Sequence, residues 1–156
     1  MRYAPLLLTP LLLLFLVTGC KPTRSVESGE HLIAGTRLRI NENSKIKYEG
    51  EVEALEAVIK QKPYRKIGGI LPFHISVYNW ASHRNQERKL WAYLTNTVGE
   101  APTLYEPVLL ERSREQMLKA LQNEGYFDAE VYATALLGKK RAELEFYVYT
   151  GEPYLI

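Results

Sequence analysis

Apolar residues recur at several different spacings along the chain, and each spacing predicts an element. The first is an unbroken run from Ala4 to Val17 behind Met1-Arg2-Tyr3. It is too short to span a bilayer comfortably and has the build of a signal-peptide core, so it is a targeting segment outside the fold. From His31 onward the pattern changes. Leu32, Ile33, Leu38 and Ile40, broken by Gly35 and followed by the turn-rich Asn41-Glu42-Asn43-Ser44, predict a strand and then a turn or a second short strand. Val52, Leu55, Val58 and Ile59 share one face of a helix over 51–61, with Glu51 and Glu53 where the helix dipole favours acids and Pro63 just past the end.

Phe73, Val77, Trp80 and Ala81 have helical spacing, although Phe73, Ile75 and Val77 also alternate as in a strand; helix is the favoured reading. Leu90, Trp91, Leu94 and Val98 predict a helix over 86–97, with Gly99 at its end. Trp80 and Trp91 are expected to anchor the core. Between the helices, Lys60, Lys62, Arg65 and Lys66 precede a flexible Gly68-Gly69 joint and read as a solvated basic loop. A functional reading of that loop would be contact with phosphate-bearing head groups or lipopolysaccharide.

Ser113-Arg114-Glu115-Gln116 has the form of a capping box, which starts a helix at Arg114 with Met117, Leu118 and Leu121 buried and Gly125 as the left-handed residue that ends it. Tyr126 and Phe127 follow as aromatic cover. Val131, Ala133, Ala135 and Leu137 alternate, as do Leu144, Phe146 and Val148, and Gly138-Lys139-Lys140 joins the two runs as a hairpin. The order strand, helices, strand, strand predicts an α+β domain: a small three-stranded mixed sheet with helices packed on one face.

Composition narrows the function. The apolar N-terminal run closes on Val17-Thr18-Gly19-Cys20, which resembles a lipobox, so 1–19 is expected to be removed and Cys20 to become a lipidated N-terminus. Cys20 is the only cysteine, which leaves no thiol for a disulfide, a metal or a nucleophile. Lys21 is not the aspartate that resembles an inner-membrane retention signal, so a lipid-anchored, periplasm-facing position at the outer membrane is expected. Residues 20–30 are polar with Pro and Gly and read as a lipidated linker that lifts the domain off the lipid surface. The domain proper is expected over 31–151.

A net charge of +2 argues against nucleic acid as a partner. Asp128 is the single aspartate, which disfavours calcium loops and two-metal phosphoryl chemistry. His31, His74 and His83 are scattered, and neither a Ser-His-acid nor a Glu-x-x-His spacing appears. The expectation is no enzyme, no catalytic residue, no metal and no cofactor.

Four places in the sequence resemble a POTRA (polypeptide-transport-associated) domain of the BamA and TamA type of outer-membrane assembly factor. They are Leu38-Arg39-Ile40 as first strand, the helix ending in Asn123-Glu124-Gly125-Tyr126-Phe127, the hairpin, and Gly151-Glu152-Pro153-Tyr154 at the exit. The lipobox start, Gln61-Lys62-Pro63, the stretch from Phe73 to Tyr78-Asn79, and Gly99-Glu100-Ala101-Pro102 resemble more closely the lipidated TamA-like proteins of Bacteroidetes-type bacteria. Such proteins continue into further POTRA domains and a β-barrel, so the resemblance implies an N-terminal part of a longer assembly factor, with 152–156 opening the next domain; insertion activity does not carry over. The resemblance also implies capture of unfolded outer-membrane clients or assembly-machine subunits by strand addition at an exposed edge. In the family's strand order the second strand lies at that edge, which points to 129–137, with Tyr132, Thr134 and Leu136 projecting from one face. The competing reading is a stand-alone periplasm-facing lipoprotein that binds a protein partner or cell-wall material through its aromatics.

Overall fold

A computed structural model describes residues 22–46 and 49–154, with only the backbone of Glu49. The signal peptide, Cys20 and Leu155-Ile156 lie outside the described residues. The chain divides into two compact units: one is Val26–Tyr64 with Pro102–Ile156, the other Met1–Ser25 with Arg65–Ala101. In sequence, the second unit interrupts the first.

The first unit carries the sheet. Strand β1 (Leu32–Ile40) leads to helix α1 (Glu49–Ala57); after the interruption come helix α4 (Pro107–Asn123) and the strands β2 (Glu130–Leu137) and β3 (Arg141–Tyr149). The strand order is β1-β3-β2, with β1 parallel and β2 antiparallel to β3. Parallel pairing of β1 with β3 requires a long crossover, and the helices supply it. The three strands, the hairpin and the α+β mixed sheet are as the alternation predicts.

Alternation along β3 decides where the core sits. Ala142, Leu144, Phe146 and Val148 are completely buried, and Ile33, Val131, Leu55, Met117, Leu121 and Tyr126 close over them. Each of the larger of these side chains contributes about 1.5–3 kcal/mol by leaving water. Val26 is also buried, at 2% exposure, and its carbonyl accepts from Lys140 Nζ, so the chain is ordered ahead of His31.

Helix α4 begins two turns before the predicted capping box. Pro107 takes the first helical position, where its missing N–H costs nothing. Ser113 is therefore interior to the helix: its hydroxyl donates to the Leu109 carbonyl at 2.8 Å and accepts the Lys60 N–H at 3.0 Å. The box motif is a tie between α4 and the segment after α1. At the other end, Gly125 adopts φ +91°, the left-handed residue the sequence predicts. A Cβ there would also lie 3.0 Å from the Tyr154 carbonyl oxygen.

The second unit holds helix α2 (Phe73–Ala81) and helix α3 (Lys89–Tyr93), which runs on into one π turn, Leu94–Val98. Helix is thus the correct choice for 73–81. The helix predicted over 86–97 starts later, because the Gln86 side chain folds back to the carbonyls of Ala81 and Arg84 at 2.8 and 2.9 Å. Gly99 has φ −73°, so it is not a left-handed cap. Its role is proximity: a Cβ would sit 2.9 Å from Tyr78 Cα and from the Thr95 carbonyl oxygen. Trp80 is 54% exposed and is no core anchor; it meets Trp91 edge to face with ring centroids 5.0 Å apart. Gly68-Gly69 forms a tight turn in place of a flexible joint. Both residues have positive φ (61° and 75°), and Ile67 and Leu71 exchange N–H···O bonds of 2.9 and 3.1 Å across it.

Candidate functional site

The two outer strands of the sheet differ in what covers them. Along the start of β1, the Ile33 N–H donates to Thr103 at 3.0 Å and the Tyr105 N–H donates to His31 at 2.8 Å. Residues 103–105 thus add a short antiparallel segment there, centred on a Leu32–Leu104 bridge. Further along β1, Thr36 and Leu38 face a groove of about 540 Å³ shared with Glu53, Glu56 and Ala57 of α1, and with Ile59, Lys62 and Pro63.

Strand β2 is the last in the sheet, and its register shows which main-chain groups it offers. In an antiparallel ladder, alternate residues turn both N–H and C=O toward the partner, and those between turn both away. The Gly138 N–H donates to Arg141 at 2.7 Å, which fixes the parity. Glu130, Tyr132, Thr134 and Leu136, paired with Tyr149, Tyr147, Glu145 and Glu143, face β3 with their backbones. The outward groups belong to Val131, Ala133, Ala135 and Leu137. Sequence reasoning named Tyr132, Thr134 and Leu136; these lie on the edge strand, but they supply the side chains beside the edge and not its free amides. Finding the outward set required the hairpin register. Lys140 is turned to Val26, so it does not guard this edge; Lys139 stays exposed at the hairpin tip.

On the face opposite the helices, Tyr132, Thr134 and Leu136 join a charged and aromatic surface. Glu145, on the central strand, is 5% exposed. Arg37 and Arg39 each reach its carboxylate at 3.3 Å, and the Tyr147 hydroxyl donates to it at 2.7 Å. The Tyr147 bond, then Arg39 and Arg37, hold the carboxyl below its ordinary range against the opposing effect of burial. The same bond and the carboxylate's charge push the Tyr147 phenol up. Arg37 also pairs with Glu143 at 2.9 Å. Tyr132 donates to Glu130 at 2.7 Å, which raises its own phenol value, and meets Tyr149 edge to face at 5.9 Å.

The two chain stretches nearest the entry to β2 hold each other. Tyr126 is buried, and its hydroxyl donates to the Lys45 carbonyl at 3.0 Å and lies 3.2 Å from Glu51. The exit segment returns to the same junction: the Tyr154 N–H donates to Gly125 at 3.0 Å, and the Tyr154 hydroxyl donates to Asp128 at 3.0 Å. The ring of Tyr154 also packs on Phe127 at 5.8 Å. The single aspartate of the chain thus serves as a latch for the exit segment.

His74 Nδ1 donates to the Val98 carbonyl at 2.9 Å, a bond that ties α2 to the π turn. Among the described residues, no three His, Cys, Asp or Glu side chains converge where they could hold a metal ion, and no helix is long and apolar enough to cross a membrane.

The POTRA family model, described as a surface antigen variable number repeat, covers residues 39–151. No curated protein and no solved structure matches. The matched range takes in the last two residues of β1, all of α1 and α4, and the β2–β3 hairpin, and the α+β mixed sheet is consistent with it. The chain belongs to the POTRA family, whose domains are non-enzymatic modules of protein–protein interaction in assembly machinery.

Proposed function

We propose that this chain is a lipid-anchored segment of an outer-membrane assembly or translocation factor, and that it receives extended strands of unfolded outer-membrane proteins or of assembly subunits at the edge of β2. The observation that carries this reading is the outward row of amides and carbonyls on Val131, Ala133, Ala135 and Leu137. Main-chain hydrogen bonds make such capture tolerant of client sequence. Tyr132 and Leu136, both more than half exposed, stand on the open face beside the edge and give a captured strand apolar neighbours. Lipid on Cys20, suggested by the lipobox-like Val17-Thr18-Gly19-Cys20, would hold the module at the membrane, facing the periplasm.

The test is site-specific photo-crosslinking from the β2 edge to a radiolabelled, unfolded outer-membrane protein, with and without Ala135→Pro. Proline removes an outward N–H and no ladder bond, so the domain stays folded while crosslinking drops several-fold. Crosslinking that survives Ala135→Pro in a folded domain sinks the reading.

A second reading has its own observation. The tyrosines of the open face, Tyr132, Tyr147 and Tyr149, suit a folded protein partner or cell-wall material without any strand addition. In that case a Tyr132→Ala, Tyr149→Ala variant loses binding, whereas Ala135→Pro leaves it intact.

A further inference from the structure

The tight turn of the second unit exposes a cluster of apolar side chains. Ile70, at the turn, is 82% exposed, and Leu71 and Ile67 beside it are 59% and 50% exposed; Phe73 follows as a further half-exposed ring. Nothing about the turn requires this, since Gly68 and Gly69 alone supply its positive-φ positions. Exposed apolar residues gathered on one rigid hairpin mark a contact surface. Arg65 and Lys66, both exposed, directly precede it. Segment 65–101 has five cations (Arg65, Lys66, Arg84, Arg88, Lys89) against two carboxylates (Glu87, Glu100), a formal charge of +3, although the whole chain carries only +2. It also holds both tryptophans of the chain, with the Arg84 guanidinium 5.6 Å above the Trp91 ring. Apolar wedge, cationic flank and tryptophan together are the side-chain set of a membrane interface.

The second observation is the place of the chain's N-terminal segment. Pro22–Ser25 form a single 3-10 turn in this same unit, and Asn79 of α2 donates to the Pro22 carbonyl at 3.2 Å. Cys20 precedes Pro22 by two residues, a reach of at most about 7 Å. A lipid on Cys20 therefore keeps this unit close to the bilayer surface. We propose that the turn Ile67–Leu71 is a membrane wedge: it inserts into the interface of an anionic bilayer, beside the lipidated terminus, as a second anchoring signal. This inference rests on the lipid-anchor reading of Cys20. It reverses the tether expectation, because the segment after the cysteine seats the unit on the lipid and does not lift it away. A second signal of this kind also makes anchoring firmer than acyl chains alone.

Two measurements separate the inference from the reading it rests on. Intact mass of the native protein after detergent extraction reports whether Cys20 carries lipid. Flotation of the mature chain carrying Cys20→Ser, with vesicles of phosphatidylethanolamine and phosphatidylglycerol, reports the wedge by itself. The expected result is binding to these vesicles that weakens in high salt and on neutral phosphatidylcholine. Ile70→Asp with Leu71→Asp should weaken it by about tenfold or more, as removal of two inserted apolar side chains predicts. Both positions are exposed, so an unchanged unfolding midpoint confirms the variant as folded. Absence of vesicle binding, binding indifferent to the double substitution, or self-association of the chain through this turn in sedimentation would each overturn the proposal.

Discussion

β1 and β2 flank the same central strand, yet only one of them is left open along its length. Residues 103–105 hydrogen-bond along the start of β1, whereas β2 keeps an outward row of main-chain groups from Val131 to Leu137. Unprotected edges invite pairing with other chains, and soluble domains ordinarily cover or charge them. The coverage at β1 shows that this fold has the means to close an edge. No such segment lies along β2 among the described residues, and Lys140 is diverted to the Val26 carbonyl, which is why strand addition is proposed there. The lesson is that the groups an edge leaves unpaired are read from register and not from residue type.

The comparison depends on β3 holding both neighbours, so the most damaging change is in its core. Phe146 is completely buried between the pairing partners Leu38 and Ala133. Phe146→Ala should cost about 3–5 kcal/mol in urea unfolding and abolish the difference between the edges along with the fold. Proline placed at neighbouring β2 positions sharpens the comparison. Thr134→Pro removes an amide that faces β3 and leaves the Glu145 carbonyl without its partner, a loss of about 1–3 kcal/mol. Ala135→Pro touches only the outward row and should leave the unfolding midpoint nearly where it was.

The smallest effect concerns the open face. Glu145 has a depressed folded value, so its contribution is present above the ordinary carboxylate range and is lost as the pH falls through the lower folded value. Tyr147 has a raised value, so its contribution is present below the ordinary phenol range and is lost as the pH rises through the higher folded one. Tyr147→Phe removes the largest of the effects that lower Glu145. A carboxyl NMR titration should then show Glu145 moving up toward its ordinary value, and the acid limb of stability should shift to higher pH. Edge capture should be unaffected.

Much of the sheet-bearing unit was legible because its signals are local. Alternation in 129–137 and 144–148 gives the hairpin, and Gly125 marks the end of α4 by a backbone requirement that few residues meet. Ser113 misled because a serine three residues before a glutamine looks the same at a helix start as in its interior; only the Lys60 N–H across the unit distinguishes the two. Trp80 misled because size predicts burial, whereas the fully buried places of this small unit go to Ile75 and Ala81. The outward amides of β2 could not be read at all, since a shift of one residue exchanges them with the inward set.

Amide hydrogen exchange along β2, measured residue by residue with and without an unfolded outer-membrane client, is the most direct test of strand addition. The account predicts alternation in the free protein, with Tyr132 and Thr134 slow and Val131, Ala133 and Ala135 fast, and selective slowing of those fast amides when the client is added. Uniform exchange along β2, or client-induced protection that appears at Thr36 and Leu38 and leaves β2 unchanged, would contradict it.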